Sequence, residues 1–516
     1  MIIDRKKNAI KGTFFGIILK FVHMLFPFII RTVFIKTLGI EYLGLNSLFG
    51  SILQVLNLSE LGVSSALVYS MYKPIAEDDK DKICQLMNLY RFYYRIIGSV
   101  ILVLGLLLMP FIPNLIHDGK IPPDINIYIL YLMNLLATVL SYWLFAYRNC
   151  LFNAHQRTDI VSIITIVIHF VMYTVQIALL FTLKNYYYYL SATILFQIVL
   201  NIITAICSKK YYPEYKPIGE IPDEERKTIN NKIRDLFTAK IGGIVNHSGD
   251  SIVISTFAGL KLLAVYQNYY YVTSAVMALF TIFFGSFTAG LGNYIITNND
   301  ENKKKLLYNI NYIVFFVLNF CCCSLVCLYQ PFMKLWVGEA NMLSDDYVFL
   351  FALYLYAEIA PRTLIVFKDA GGIWESDRFR PLVAATVNLV LNVLAFKYIG
   401  LYGIILSTVF ALLFIAYPWL IINVNKYMFK IDIRKYLGNS MLYAFAISLC
   451  IALSYYLCNC FSLVNVYMLL ALRFVLCLTL PNLIFITLFF KKAENKYMLE
   501  NFAKTLHLSK KGNRND

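Results

Sequence analysis

The residues whose types and spacing can do chemistry are polar and ionisable side chains set inside long apolar stretches. A charge at bilayer depth is costly unless it meets a partner or water, so each such residue is a functional candidate. In the first stretch Thr13, Gly16, Lys20, Pro27 and Arg31 lie within about 40° of one line at about 100° per residue, with His23 beside it. That line suits attraction of an anion. Lys20 can equally snorkel to the nearby interface, and Arg31 can equally belong to a buried ion pair.

In the second stretch Asn46, Gly50, Gln54, Asn57, Glu60 and Ser64 step by threes and fours, the spacing of one helix face. A polar face this long does not turn toward lipid. Glu60 has three open readings: neutralising an arginine, binding a coupling proton or cation, or touching substrate. Lys240, Gly243, His247 and Asp250 adjoin on one face further along, where the small residue permits close approach. Glu358 and Arg362 are spaced i, i+4 with the acid first, so they either line a cavity or neutralise each other.

The expected substrate cavity is therefore lined by Lys20, Arg31, Asn46, Gln54, Asn57, Glu60, Lys240, His247, Asp250, Glu358 and Arg362. Glu60, Asp250 and Glu358 are the candidates for H⁺ or Na⁺ coupling. No catalytic residue, metal or organic cofactor is expected. Thr165, His169 and Gln176 share another face, with His169 read as a packing residue, and Arg473 is expected to snorkel, pair or meet a lipid phosphate. Tyr186 to Tyr189 read as an aromatic belt at a membrane edge. Of Tyr269, Tyr270 and Tyr271, at least one should face away from lipid, able to stack on a sugar or aromatic ligand.

The elements that position these residues follow from composition. The chain has 516 residues, 59% hydrophobic and only 15% charged, with a mean hydropathy of +0.64. Soluble globules carry about 25% charged residues, so the chain is an integral membrane protein. Apolar blocks long enough to cross a bilayer as helices fall at 14–37, 42–71, 92–113, 125–147, 160–183, 187–207, 236–258, 263–296, 307–330, 346–370, 381–399, 401–423, 438–461 and 466–490. The fold class is thus an all-α polytopic membrane protein of about fourteen transmembrane helices. The basic N-terminus resembles a signal peptide, but its apolar run continues without a small-residue cleavage site and is expected to remain as the first span.

Of the 46 lysines and arginines, 36 fall in loops on the side shared with the termini, six fall opposite and four lie inside spans. This alternation predicts cytoplasmic N- and C-termini and makes the +16 charge topological, with no nucleic-acid partner. The eleven cysteines lie in apolar helical text and read as small buried hydrophobes. No P-loop, zincin, nucleophile-elbow or C-x-x-C motif occurs, and the longest polar connection, 208–235, is too short for a soluble catalytic domain.

An offset near 220 aligns Lys20 with Lys240, Gly39 with Gly259, Leu43 with Leu263, and Gln156-Arg157 with Asp377-Arg378 after one residue of slip. It predicts pseudo-repeated six-helix bundles at 1–210 and 236–430, a linker with an amphipathic helix at 211–235, a further helix pair at 431–490 and a basic tail at 491–516. Pro222-Asp223-Glu224-Glu225 starts the linker helix. Met498 or Leu499, Phe502 and Leu506 give the tail an apolar face suited to an anionic lipid surface.

Residues 38–46, Leu-Gly-Ile-Glu-Tyr-Leu-Gly-Leu-Asn, and 58–66, Leu-Ser-Glu-Leu-Gly-Val-Ser-Ser-Ala, carry a resemblance to bacterial polysaccharide-biosynthesis flippases of the Wzx type. These belong to the multidrug/oligosaccharidyl-lipid/polysaccharide (MOP) exporter superfamily. Asp250 to Ile254, Leu335-Trp336-Val337-Gly338, Pro381 to Asn388, Gly400 and Gly403 extend the resemblance along the chain. It implies two six-helix bundles in a V around a central cavity and outward movement of an undecaprenyl-diphosphate-linked oligosaccharide by alternating access. The setting would be the bacterial inner membrane, with membrane lipids, a polysaccharide polymerase and glycosyltransferases as partners. The last two spans exceed the basic twelve and resemble the additional pair of peptidoglycan-precursor flippases. A multidrug or cation antiporter of the same superfamily is the main competing expectation. A membrane glycosyltransferase or polymerase using Asp79-Lys80-Asp81 is a lesser one.

Overall fold

The computed structural model describes the backbone of residues 5–60, 62–117, 121–461 and 465–512, and their side chains except at 5–7, 9, 10, 59, 238–240, 247, 286, 289 and 503–512. Among the described residues the regular structure is helical and no strand occurs. The chain groups into two compact units, Met1–Gln267 and Asn268–Asp516.

In the first unit the helices are α1 (Arg5–Thr37), α2 (Ile40–Leu56), α3 (Val63–Glu77), α4 (Lys80–Leu108), α5 (Ile127–Trp143), α6 (Asn149–Ala154), α7 (Thr158–Thr182), α8 (Tyr186–Tyr211) and α9 (Asp223–Ala258). Helix α1 lies along α7, α7 along α8, α4 along α5, and α2 against α9. Gly44 fixes how closely α2 approaches: a Cβ there would stand 2.2 Å from the Leu260 carbonyl oxygen.

Helix α10 (Leu260–Thr297) leads into the second unit, which continues with α11 (Asp300–Val337), α12 (Tyr347–Ile359), α13 (Arg362–Ala370), α14 (Arg380–Ile399), α15 (Leu401–Phe410), α16 (Tyr417–Tyr427), α17 (Ile433–Cys460), α18 (Val466–Leu488) and α19 (Ala493–Gly512). Helix α11 is its centre, packed by α12, α17, α18 and α19. Leu307, Leu364, Phe367, Leu420 and Val424 form part of a core joining α11, α13 and α16.

Among the described residues ten helical segments are long and apolar enough to cross a membrane, and twelve if each of two bent pairs is one span, so the expected count of fourteen is not confirmed. The stretch 42–71 is broken: α2 stops at a 3₁₀ turn, Asn57–Glu60, and Gly62 precedes α3 at φ 90°. Polar side chains at the break find partners off the helix axis, which an uninterrupted lipid-facing helix would deny them. The stretch 236–258 is the second part of α9, whose buried polar residues include Asn246, Ser248, Asp250 and Ser255.

One pair of positions aligned by the 220-residue offset shares a backbone conformation. Gly39, between α1 and α2, has φ 112° and ψ 167°, and Gly259, between α9 and α10, has φ 88° and ψ 175°. At the starts of α7 and α14, a buried aspartate takes two hydrogen bonds from an arginine. Arg157 reaches Asp159 at 3.0 and 3.2 Å, and Arg380 reaches Asp377 at 2.8 Å twice.

Within the expected linker 211–235, Asp223 opens α9, which runs unbroken to Ala258. Its acidic first turn packs on α4, with Lys82 paired to Glu225 and Ile229 buried. In the tail, Met498 is buried while Leu499 and Phe502 are exposed; the Leu506 side chain lies outside the described residues. The four-tyrosine run is not a uniform belt, since Tyr186 is buried and only Tyr188 is exposed.

Candidate functional site

The break between α2 and α3 organises a polar site in the first unit. Four members of the stripe, Asn46, Gln54, Asn57 and Glu60, each meet a hydroxyl from a different element. Asn46 Oδ1 accepts from the Tyr186 hydroxyl on α8 at 3.0 Å, and Gln54 Oε1 from the Ser248 hydroxyl on α9 at 3.2 Å. Asn57 Oδ1 accepts from Tyr142 on α5 at 3.4 Å. Glu60 Oε1 accepts from Tyr94 on α4 at 3.2 Å.

The Tyr94 hydroxyl lies 2.9 Å from that of Tyr90, which lies 2.9 Å from the Ser64 hydroxyl. Glu60 therefore ends a chain of three hydroxyls drawn from α3 and α4. Such a chain holds a carboxylate in place and offers hydroxyls between which a proton can step. Tyr90 and Tyr94 were not singled out in the sequence, although their i, i+4 spacing places them on one face of α4.

The remaining expected residues divide by environment. Lys20 is exposed and Arg31 half-buried on α1, so neither is sealed within the unit; Arg31 is within electrostatic reach of Tyr189. Asp250 is buried on α9, at 3% exposure, rather than open to a cavity. The side chains of Lys240 and His247 lie outside the described residues. Glu358 and Arg362 pair at 3.4 Å across the Ala360–Pro361 interruption between α12 and α13. Self-neutralisation is therefore their observed arrangement within the second unit.

The other singled-out residues also find protein partners. His169 meets His23 of α1, Nδ1 to Nε2, at 2.8 Å. Tyr269 is fully buried and donates to Gln330 Oε1 at 2.7 Å, so it is not a ligand platform. Tyr270 and Tyr271 lie edge-on and tilted to Tyr354 and Trp336, respectively. Arg473 donates to the Cys327 carbonyl and to Asn459 Oδ1.

Residues 9–286, more than half of the chain, match the family described as polysaccharide biosynthesis protein. Among solved structures the chain is similar to the lipid II flippase MurJ in an inward closed conformation, with TM-score 0.65 and 17% identity over 93% of this chain and 99% of that one. It is similar to an inward-facing multidrug resistance MATE family transporter of the MOP superfamily, with TM-score 0.60 and 14% identity over 78% of this chain and 93% of that one. A MOP superfamily transporter from Pyrococcus furiosus, whose binding pocket is described as of reverse polarity, aligns with TM-score 0.53 and 12% identity over 81% and 95%. At these identities the likeness establishes a shared fold, that of MOP transporters. No curated protein sequence matches the chain.

Proposed function

Since the chain belongs to the polysaccharide biosynthesis protein family, we propose that it is a flippase moving undecaprenyl-diphosphate-linked oligosaccharide repeat units from the cytoplasmic to the outer leaflet of the bacterial inner membrane. The product would feed assembly of a cell-surface polysaccharide, whether O-antigen, capsule or exopolysaccharide. The observation that carries this reading is the family match itself, on a chain whose fold aligns with nearly the full length of a lipid II flippase.

Physical chemistry supports the assignment. An oligosaccharide headgroup carries many hydroxyls, and each costs several kcal/mol to move into hydrocarbon without a partner. A polar protein path lowers that barrier while the polyprenyl chain stays in lipid. Arg31 and Lys20 on α1, with Lys240 on α9, supply positive charge for the diphosphate; the amide and carboxylate groups from Asn46 to Glu60 supply hydrogen-bonding partners for sugars. Moving two negative charges outward is favoured by roughly 4.6 kcal/mol per 100 mV, inside negative, so ion coupling is not energetically required. Where coupling operates, Glu60 with its hydroxyl chain is the preferred carboxylate over buried Asp250 and paired Glu358.

The reading is tested by reconstituting the full chain into vesicles and following outward movement of a fluorescent polyprenyl-diphosphate oligosaccharide under an imposed potential. Transport above protein-free vesicles is expected. Absence of such transport, together with efflux of cationic dyes, would replace the flippase by a multidrug antiporter.

A further inference from the structure

Three cysteines far apart in sequence meet in the second unit. Cys327 on α11, Cys458 on α17 and Cys477 on α18 are each fully buried, and their Sγ atoms all lie within 4.8 Å of one another. Tyr455 and Leu476 pack around them.

Arg473 stands over this cluster. It lies one turn before Cys477 on α18, donates to the Cys327 carbonyl at 2.9 Å and to Asn459, the neighbour of Cys458, at 3.1 Å. Both acceptors are neutral, and its buried Nε has no hydrogen-bond acceptor among the described residues. The guanidinium is half-buried, at the wall of a cavity it shares with Asp345, and a negative charge on its buried side would be favourable.

We propose that Cys327, Cys458 and Cys477 form a thiolate site for one thiophilic metal ion, with Arg473 as its counter-charge. Binding forms three metal–sulfur bonds and releases three thiol protons to solvent. With Zn²⁺ the three thiolates leave a net charge of −1, which Arg473 cancels; with Cu⁺ they leave −2. The charge count therefore selects zinc from the thiophilic metals. A cavity of about 380 Å³ lined by Arg473, Asn459, Tyr455 and Asp345 lies beside Arg473. The bound ion would tie α17 and α18 to α11, whatever the chain transports.

The test uses full-length protein purified under reducing conditions, loaded with Zn²⁺ or, in a parallel sample, Cu⁺, then washed and assayed for metal and by X-ray absorption. One zinc per chain with three sulfur neighbours at about 2.3 Å is expected. Cys458→Ala and Cys477→Ala should each lower zinc occupancy at least tenfold, and Cys460→Ala, at the exposed cysteine two residues on, should not. Arg473→Gln should weaken zinc about tenfold while leaving the sulfur count of the loaded protein unchanged. The wild-type spectrum keeps the proposal testable even if a variant fails to fold. Zinc coordinated without sulfur, a disulfide within the trio, retention of copper alone, or no metal at all would overturn it.

Discussion

Glu60 owes its position to hydroxyls gathered from neighbouring helices. Removing the Tyr94 hydroxyl deprives the carboxylate of one donor, and a hydrogen bond to a charged group is worth about 1.5–3 kcal/mol. Tyr94→Phe should therefore lower the thermal unfolding temperature in detergent. Tyr94→Phe combined with Glu60→Gln should cost less than the sum of the two single changes; strict additivity would show that the pair is not coupled. The stripe from Asn46 to Ser64 was legible because its helical period survives on both sides of the break. Its partners were not, because Tyr90, Tyr94, Tyr142, Tyr186 and Ser248 lie on other elements and only packing brings them in.

At the scale of elements, close approach and burial decide the consequences. Gly44→Ala would drive a methyl into the Leu260 carbonyl, and overpacking of this kind typically costs about 1–3 kcal/mol. A lowered unfolding temperature and diminished transport are expected; unchanged values would mean that α2 moves freely away. His155, just after α6, is buried, lies 2.8 Å from the Leu151 carbonyl through Nδ1 and stacks on Tyr212. Burial holds its pKa below the usual 6.5, outweighing the opposing backbone bond and Glu214 charge. On acidification the unfolded state binds the proton first, so this contribution is complete above about pH 6.5 and disappears as pH falls through the folded pKa. Unfolding temperatures at about pH 7.5 and pH 5 should differ more in wild type than in His155→Gln; equal slopes would contradict this origin. Twelve of the fourteen expected spans correspond to qualifying helices or bent pairs because long apolar runs dictate them. The other two, 42–71 and 236–258, were expected as spans, and what was not legible is the 3₁₀ break before Gly62 and the polar interior of α9, which depend on neighbours that meet Asn57, Glu60 and Ser248.

Across the whole molecule, the alternating lysine and arginine pattern predicts one common side for the termini. A C-terminal tag should resist protease in right-side-out vesicles and be cleaved in inverted ones; the reverse would overturn the orientation. Gly39 and Gly259, which the sequence offset aligns, each join two helices at positive φ, whereas the arginine-held Asp159 and Asp377 use Arg157 and Arg380, positions that the offset does not align. The proposed cargo rests on the resemblance alone, since no single side chain encodes a glycan. The central claim is that a cationic line on α1 handles a lipid diphosphate. Its most direct test compares outward translocation of a polyprenyl-diphosphate oligosaccharide by wild type and Arg31→Ala at matched reconstitution and membrane potential. Loss of at least tenfold in rate, with Arg31→Lys retaining more than Arg31→Ala and both variants folded, is the predicted result. An Arg31→Ala protein that translocates at the wild-type rate would contradict it.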